Sequence, residues 1–127
     1  MNLLLDTHVL LWIAAGEDAL GPRAKEAIAV GRRMVFVSAA SAWEIAIKAR
    51  LGKLDAPNDL GEMLDHYRFT PLDVTTRHAM AVRTLPDLHR DPFDRMLVAQ
   101  ARTEGLTLVS HDPQVLAYEV ASLPATR

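Results

Sequence analysis

Four short apolar runs are spaced along the chain, and stretches of helical character separate them. Asn2 to Asp6 (NLLLD), Met34 to Ser38 (MVFVS), Phe69 to Val74 (FTPLDV) and Leu106 to Ser110 (LTLVS) read as strands. Their near-continuous apolar character, without polar alternation, is what burial on both faces requires. Between them, residues 7–16 (THVLLWIAAG) form a helix with Asp6 or Thr7 as cap and Gly16 as stop. Residues 21–33 (GPRAKEAIAVGRR) open a second helix with Pro22 in the first turn. The Ala-rich residues 38–52 make a third, ending near Gly52, and residues 59–68 (DLGEMLDHYR) a fourth. Residues 75–85 (TTRHAMAVRTL) are closed by Pro86. The helix of residues 92–105 (PFDRMLVAQARTEG) starts at Pro92 and stops at Gly105. A short helix from Pro113 and a tail of undefined structure complete the pattern. Strands alternating with helices predict an α/β fold: a three-layer α/β/α sandwich around a parallel sheet of four to five strands.

Composition narrows the class. With 127 residues, of which 50% are hydrophobic, residues 1–127 are expected to form one domain with a substantial core. The absence of cysteine removes disulfides and thiolate metal sites and suits a reducing cytoplasm. The apolar start carries Asp6 and His8, lacks a basic leader and is too short to span a bilayer, so no membrane role is expected. A net charge of -2 gives no global attraction for phosphates. Nucleic-acid contact would depend on local basic groups or on a metal.

Ligands of open parallel sheets bind beyond the carboxyl ends of the strands. Asp6 ends the first strand and Asp112 follows the fourth by two residues. Glu44 lies in the first two turns of the helix after the second strand. Asp94 occupies the first turn of the helix feeding the fourth, where the helix dipole favours a negative charge. Four carboxylates in one crevice repel one another unless a proton or a cation intervenes. Oxygen donors without cysteine point to Mg²⁺ or Mn²⁺, which could activate water against a phosphodiester. Taken singly, three of the acids have a plainer role: a cap for Asp94, a turn for Asp112, an i+4 pair with Lys48 for Glu44. Asp6, directly ending an apolar strand, faces desolvation unless something binds it. His8, His89 and His111 have no recognised zinc spacing. An aspartyl phosphatase is disfavoured because DTH lacks the second acid of a D-x-D pattern.

The motifs LLLDTHVLLW, SAWEIAIKARLGKL, HRDPFDRMLVAQA and LVSHD resemble, in this order, those of the PIN domain, in particular VapC-type toxins of toxin–antitoxin pairs. The resemblance covers nearly the whole chain. It implies a Mg²⁺- or Mn²⁺-dependent endoribonuclease with Asp6, Glu44 and Asp94 as core metal-binding acids and Asp112 completing the site. It also implies that Ser110 is the supporting hydroxyl, that Thr7 could hold the first acid, and that the acid after Pro-Phe binds metal. Asp91 is then a cap or an outer ligand. Arg95, Arg90 and Lys48 are candidates for holding RNA phosphate, with Arg50 and Lys53 as further basic groups. The expected partners are an RNA substrate, a VapB-type antitoxin and a second copy of the chain. The segment VLLWIAA is apolar all round, so Leu11 and Trp12 are candidates for a groove receiving an antitoxin helix. The alternative is a PIN-like subunit acting through antitoxin-dependent DNA binding with little cleavage.

Overall fold

The computed structural model describes residues 1–29 and 31–126. Five parallel strands form one sheet: β1 (Leu3–Leu5), β2 (Val35–Ser38), β3 (Thr70–Leu72), β4 (Thr107–Ser110) and β5 (Ser122–Pro124), in the order β3-β2-β1-β4-β5. β1 is therefore central, with Leu3 opposite both Val35 and Thr107.

Successive strand residues face opposite sides of a sheet, and the two cores follow that rule. Leu3 and Leu5 join Val35, Val37 and Val109 on one face, covered by Val9, Leu10, Ala24, Ile45 and Leu64. Leu4 and Leu108 face the other way, against Leu97, Val98, Ala101, Val115 and Tyr118. The first face is covered by helices α1 (Thr7–Ala15), α2 (Pro22–Ile28), α3 (Ala39–Arg50) and α4 (Leu60–Tyr67). The second lies beneath α6 (Pro92–Glu104) and α7 (Pro113–Leu116). Helix α5 (Thr76–Ala81) packs against α6. Among the described residues, no helix is long and apolar enough to cross a membrane.

The predicted helix starts have physical caps. Asp6 Oδ1 accepts from Val9 N at 2.9 Å, and Asp91 Oδ1 accepts from Phe93 N at 2.8 Å and Asp94 N at 3.2 Å. Gly16 and Gly105 terminate α1 and α6 at φ 69° and 67°, a left-handed conformation that a side chain would strain.

Some elements differ from the pattern-based expectation. The tail contributes β5, whose three residues and terminal proline gave no strand signal. The helix expected over residues 75–85 ends at Ala81 and tightens into a 3₁₀ turn at Val82–Thr84. Helix α2 ends at Ile28, short of the expected Arg33; Val30, within that expectation, lies outside the described residues. Met34 and Phe69 fall just outside their strands.

Candidate metal and nuclease site

Parallel pairing puts the carboxyl ends of β1, β2 and β4 on one edge, and each chain segment leaving that edge delivers acids to it. Asp6 leaves β1, Glu44 projects from α3 after β2, and Asp112 follows β4. Asp94 arrives from the first turn of α6. All four line one cavity of about 170 Å³, together with Thr7, His8, Lys48, His89, Asp91 and His111.

The side chains are held from several directions. Asp6 is 4% exposed; its Oδ2 accepts from Ser110 Oγ at 2.5 Å, and Ser110 Oγ in turn accepts from Asp112 N at 3.1 Å. Asp112 Oδ1 accepts from Gln114 N at 2.9 Å, capping α7 and leaving Oδ2 facing the cavity side, 3.5 Å from His89 Nε2. Glu44, 3% exposed, takes the Thr7 hydroxyl on Oε1 at 2.7 Å and the Lys48 ammonium on Oε2 at 2.5 Å. Thr7 therefore holds the second acid of the set, Glu44, and Ser110 holds the first. The i+4 pair of Glu44 with Lys48 is real, but its acid is buried beside other acids rather than solvated.

Crowding shows in the proton affinities. Burial pushes the Asp94 carboxyl up to about 6; the charge of Asp91 adds to this, a hydrogen bond with His89 opposes it, and Glu44 and Asp6 add further. Burial also raises Asp6, against the hydrogen bonds from Ser110 and Val9 N–H. Lys48 is raised by its hydrogen bond to Glu44 and by the charges of Glu44, Asp91 and Asp94. Among the described residues Lys48 is the only lysine or arginine lining the cavity, so the acids outnumber their fixed countercharge.

His89 is a site residue the sequence reading set aside. Its Nε2 lies 2.8 Å from Asp94 Oδ2 and 3.5 Å from Asp112 Oδ2, and the three side chains offer ligand atoms within 4.8 Å of one another. Its Nδ1, however, accepts from Arg90 N at 3.1 Å. The hydrogen therefore sits on Nε2, and the ring enters the cavity as a donor. A metal-bound imidazole would instead donate from its other nitrogen. The donor set left for a cation is carboxylate oxygen, which fits a hard divalent ion such as Mg²⁺ or Mn²⁺ and not zinc.

Other candidates fall elsewhere. The Arg95 guanidinium is 15% exposed and donates to Pro86 O at 2.9 Å and Tyr118 Oη at 3.2 Å, with Val82 O, Leu85 O and His89 O at 3.4 Å. Arg95 fastens the segment before α6 and lines the separate groove beside Trp43, not the acidic cavity. Both of its terminal nitrogens are engaged in these bonds. Leu11 and Trp12 are half-buried against the core, and the indole lies 4.8 Å from the His111 ring. Trp43 is 65% exposed beside a separate apolar groove of about 610 Å³ that Phe93, Met96 and Val74 also line.

The model of the PIN domain matches residues 3–121. The chain belongs to the PIN-domain family. Solved structures with the same fold include VapBC2 from Rickettsia felis bound to a DNA fragment from its promoter, with a TM-score of 0.71 and 16% identity, covering 97% of this PIN domain and 98% of that chain. A toxin–antitoxin complex from Klebsiella pneumoniae gives 0.67 and 15%, covering 98% of each chain. DNA-bound VapBC from Salmonella typhimurium gives 0.62 and 19%, covering 100% and 96%. No curated protein sequence matches this chain significantly. PIN domains are typically nucleases and generally depend on a divalent metal, and the acidic cavity described above suits both.

Proposed function

We propose that this PIN domain is a Mg²⁺- or Mn²⁺-dependent endoribonuclease, the VapC-type toxin of a toxin–antitoxin pair, folded as a single domain over residues 1–127. The observation that carries the reading is the convergence of Asp6, Glu44, Asp94 and Asp112 on one small cavity with a deficit of fixed positive charge. A divalent cation, when bound, would activate water and stabilise the charge that develops on the phosphate.

The chain's own residues divide the remaining work. Asp6, Glu44 and Asp94 would hold the cation, with Asp112 completing the set. Ser110 and Thr7 fix two of these carboxylates, and so keep their oxygens oriented before any ion arrives. Asp91 caps α6 and so sets the position of Asp94. His89 spans Asp94 and Asp112 with an N–H, holding two acids from different elements in register. Lys48 neutralises one oxygen of Glu44 and leaves the other acids to the cation.

The partner we assign is a separate antitoxin chain, because three structures sharing this fold are toxin–antitoxin complexes by description. The half-buried Leu11 and Trp12 on α1, of which Trp12 packs on the cavity-lining His111, are its proposed seat. The apolar groove at Trp43 is the proposed contact with a second copy. DNA in two of those complexes favours a second reading, in which the pair acts by binding DNA and cleaves little.

The test is RNA cleavage by purified protein with Mg²⁺, alongside Asp94→Asn. Cleavage abolished in the variant supports the nuclease. Equal cleavage by both would trace the activity to a contaminant, and no cleavage of any RNA would favour the DNA-binding reading.

A further inference from the structure

The proposed hydrolysis leaves one wall of the cavity without a role. His8 and His111 both line it. Their ring centroids are 5.2 Å apart and their planes are tilted by 32°. His111 lies in turn 4.8 Å from the Trp12 indole, inclined at 52°. The three rings form a row with one fixed end and one free end. Trp12 is packed against the core, His111 is half-buried with its Nδ1 buried and unpaired among the described residues, and His8 is exposed. The row is therefore held by ring packing, and His8 is its exposed member, lining the acidic cavity.

An exposed aromatic ring beside a candidate phosphodiester-cleaving centre suits a planar partner attached to the phosphate. We propose that the His8–His111–Trp12 row is a base-stacking subsite, in which an unpaired nucleobase next to the scissile phosphate lies on His8. This deepens the ribonuclease reading and rests on it. The ligand class is single-stranded RNA, because a base within a duplex already has both faces covered by its neighbours, whereas a loop base offers a free one. Every base has a π-face, so the subsite selects unpaired over paired nucleotides at one position and is tolerant of base identity. Lys48 and the acids deal with the backbone; the ring row fixes which nucleotide stands beside them.

The test uses a short unstructured RNA with 2-aminopurine at successive positions, mixed with the intact protein and Mg²⁺ in a stopped-flow fluorimeter. Stacking quenches the probe whether or not cleavage follows. Quenching is expected at one position, with RNA affinity falling about 5- to 100-fold and the quench disappearing in His8→Ala. His8→Phe should restore both, and a fully paired RNA should show neither. His8 is exposed, so circular dichroism and melting of the variants should match the parent. Parental quenching and affinity in His8→Ala would overturn the subsite while leaving the ribonuclease reading standing. The same holds if His8→Ala weakens only an antitoxin's binding. If the parent protein binds no RNA at all, the subsite and the ribonuclease reading fall together.

Discussion

Ser110 Oγ donates to Asp6 Oδ2 across 2.5 Å, joining residues 104 positions apart and tying the end of β4 to the end of β1. The same hydroxyl accepts from Asp112 N, so a single side chain orients one acid and positions the backbone of another. Ser110→Ala should leave the Asp6 carboxylate short of a donor in a buried place. Stability should fall by about 1–3 kcal/mol, read by chemical denaturation. Mg²⁺ affinity, read by calorimetry, should weaken about 10- to 100-fold, as happens when a group supporting a metal ligand is removed. Unchanged metal affinity would show that Asp6 does not hold the ion.

Asp94 gives a pH dependence of defined sign. Its folded pKa, about 6, lies above the unfolded value of 3.8. The stability it contributes is therefore complete below pH 3.8 and is lost as pH rises through 6. In metal-free protein, Asp94→Asn should raise the melting temperature at pH 7–8 and leave it unchanged near pH 3.5. Mg²⁺ should reverse the order at neutral pH, because it stabilises the parent by binding only the folded site, by about 2.7 kcal/mol at a hundred times Kd. Asp6→Asn should blunt the same metal response.

Arg95 is expected to matter for folding and not for substrate. Arg95→Met removes donors from Pro86 O, Tyr118 Oη and neighbouring carbonyls. A loss of about 2–3 kcal/mol in denaturation is expected, with RNA affinity at parental strength. A selective loss of RNA affinity with normal stability would restore Arg95 to the binding surface.

Trp43 tests self-association. It stands edge-on to Phe93, with ring centroids 5.2 Å apart, beside the apolar groove. An exposed patch of this kind is a common sign of an interface. Trp43→Glu should shift sedimentation from dimer to monomer while the circular dichroism stays parental, since the side chain is exposed. A parental protein that sediments as a monomer at all concentrations would remove the proposed dimer.

The central strands were legible because a strand buried on both faces must be apolar throughout, and the four acids because they stand where such runs end. The roles of individual neighbours were less legible. Thr7 follows Asp6 in sequence, yet the helical turn swings its hydroxyl to Glu44 on α3. His89 was passed over by a search for zinc spacing, whereas its contribution depends on which ring nitrogen meets Arg90 N–H, a matter of backbone geometry. Arg95 looked placed by sequence to hold a phosphate; the fold instead brings the carbonyls of Val82, Leu85 and Pro86 onto its guanidinium. β5 escaped because its pairing is supplied by the exposed edge of β4 rather than by any pattern of its own.

The central position of β1 has a temporal consequence for a growing polypeptide. β1 gains its second hydrogen-bonded neighbour, β4, only when Thr107 to Val109 are available. Asp6 waits for Ser110 over the same interval, several seconds to about twenty at ~5–20 residues per second of synthesis. A partly synthesised chain would thus present β1 and Asp6 without their β4 neighbours, and the acidic centre would first assemble once residues through Asp112 are available.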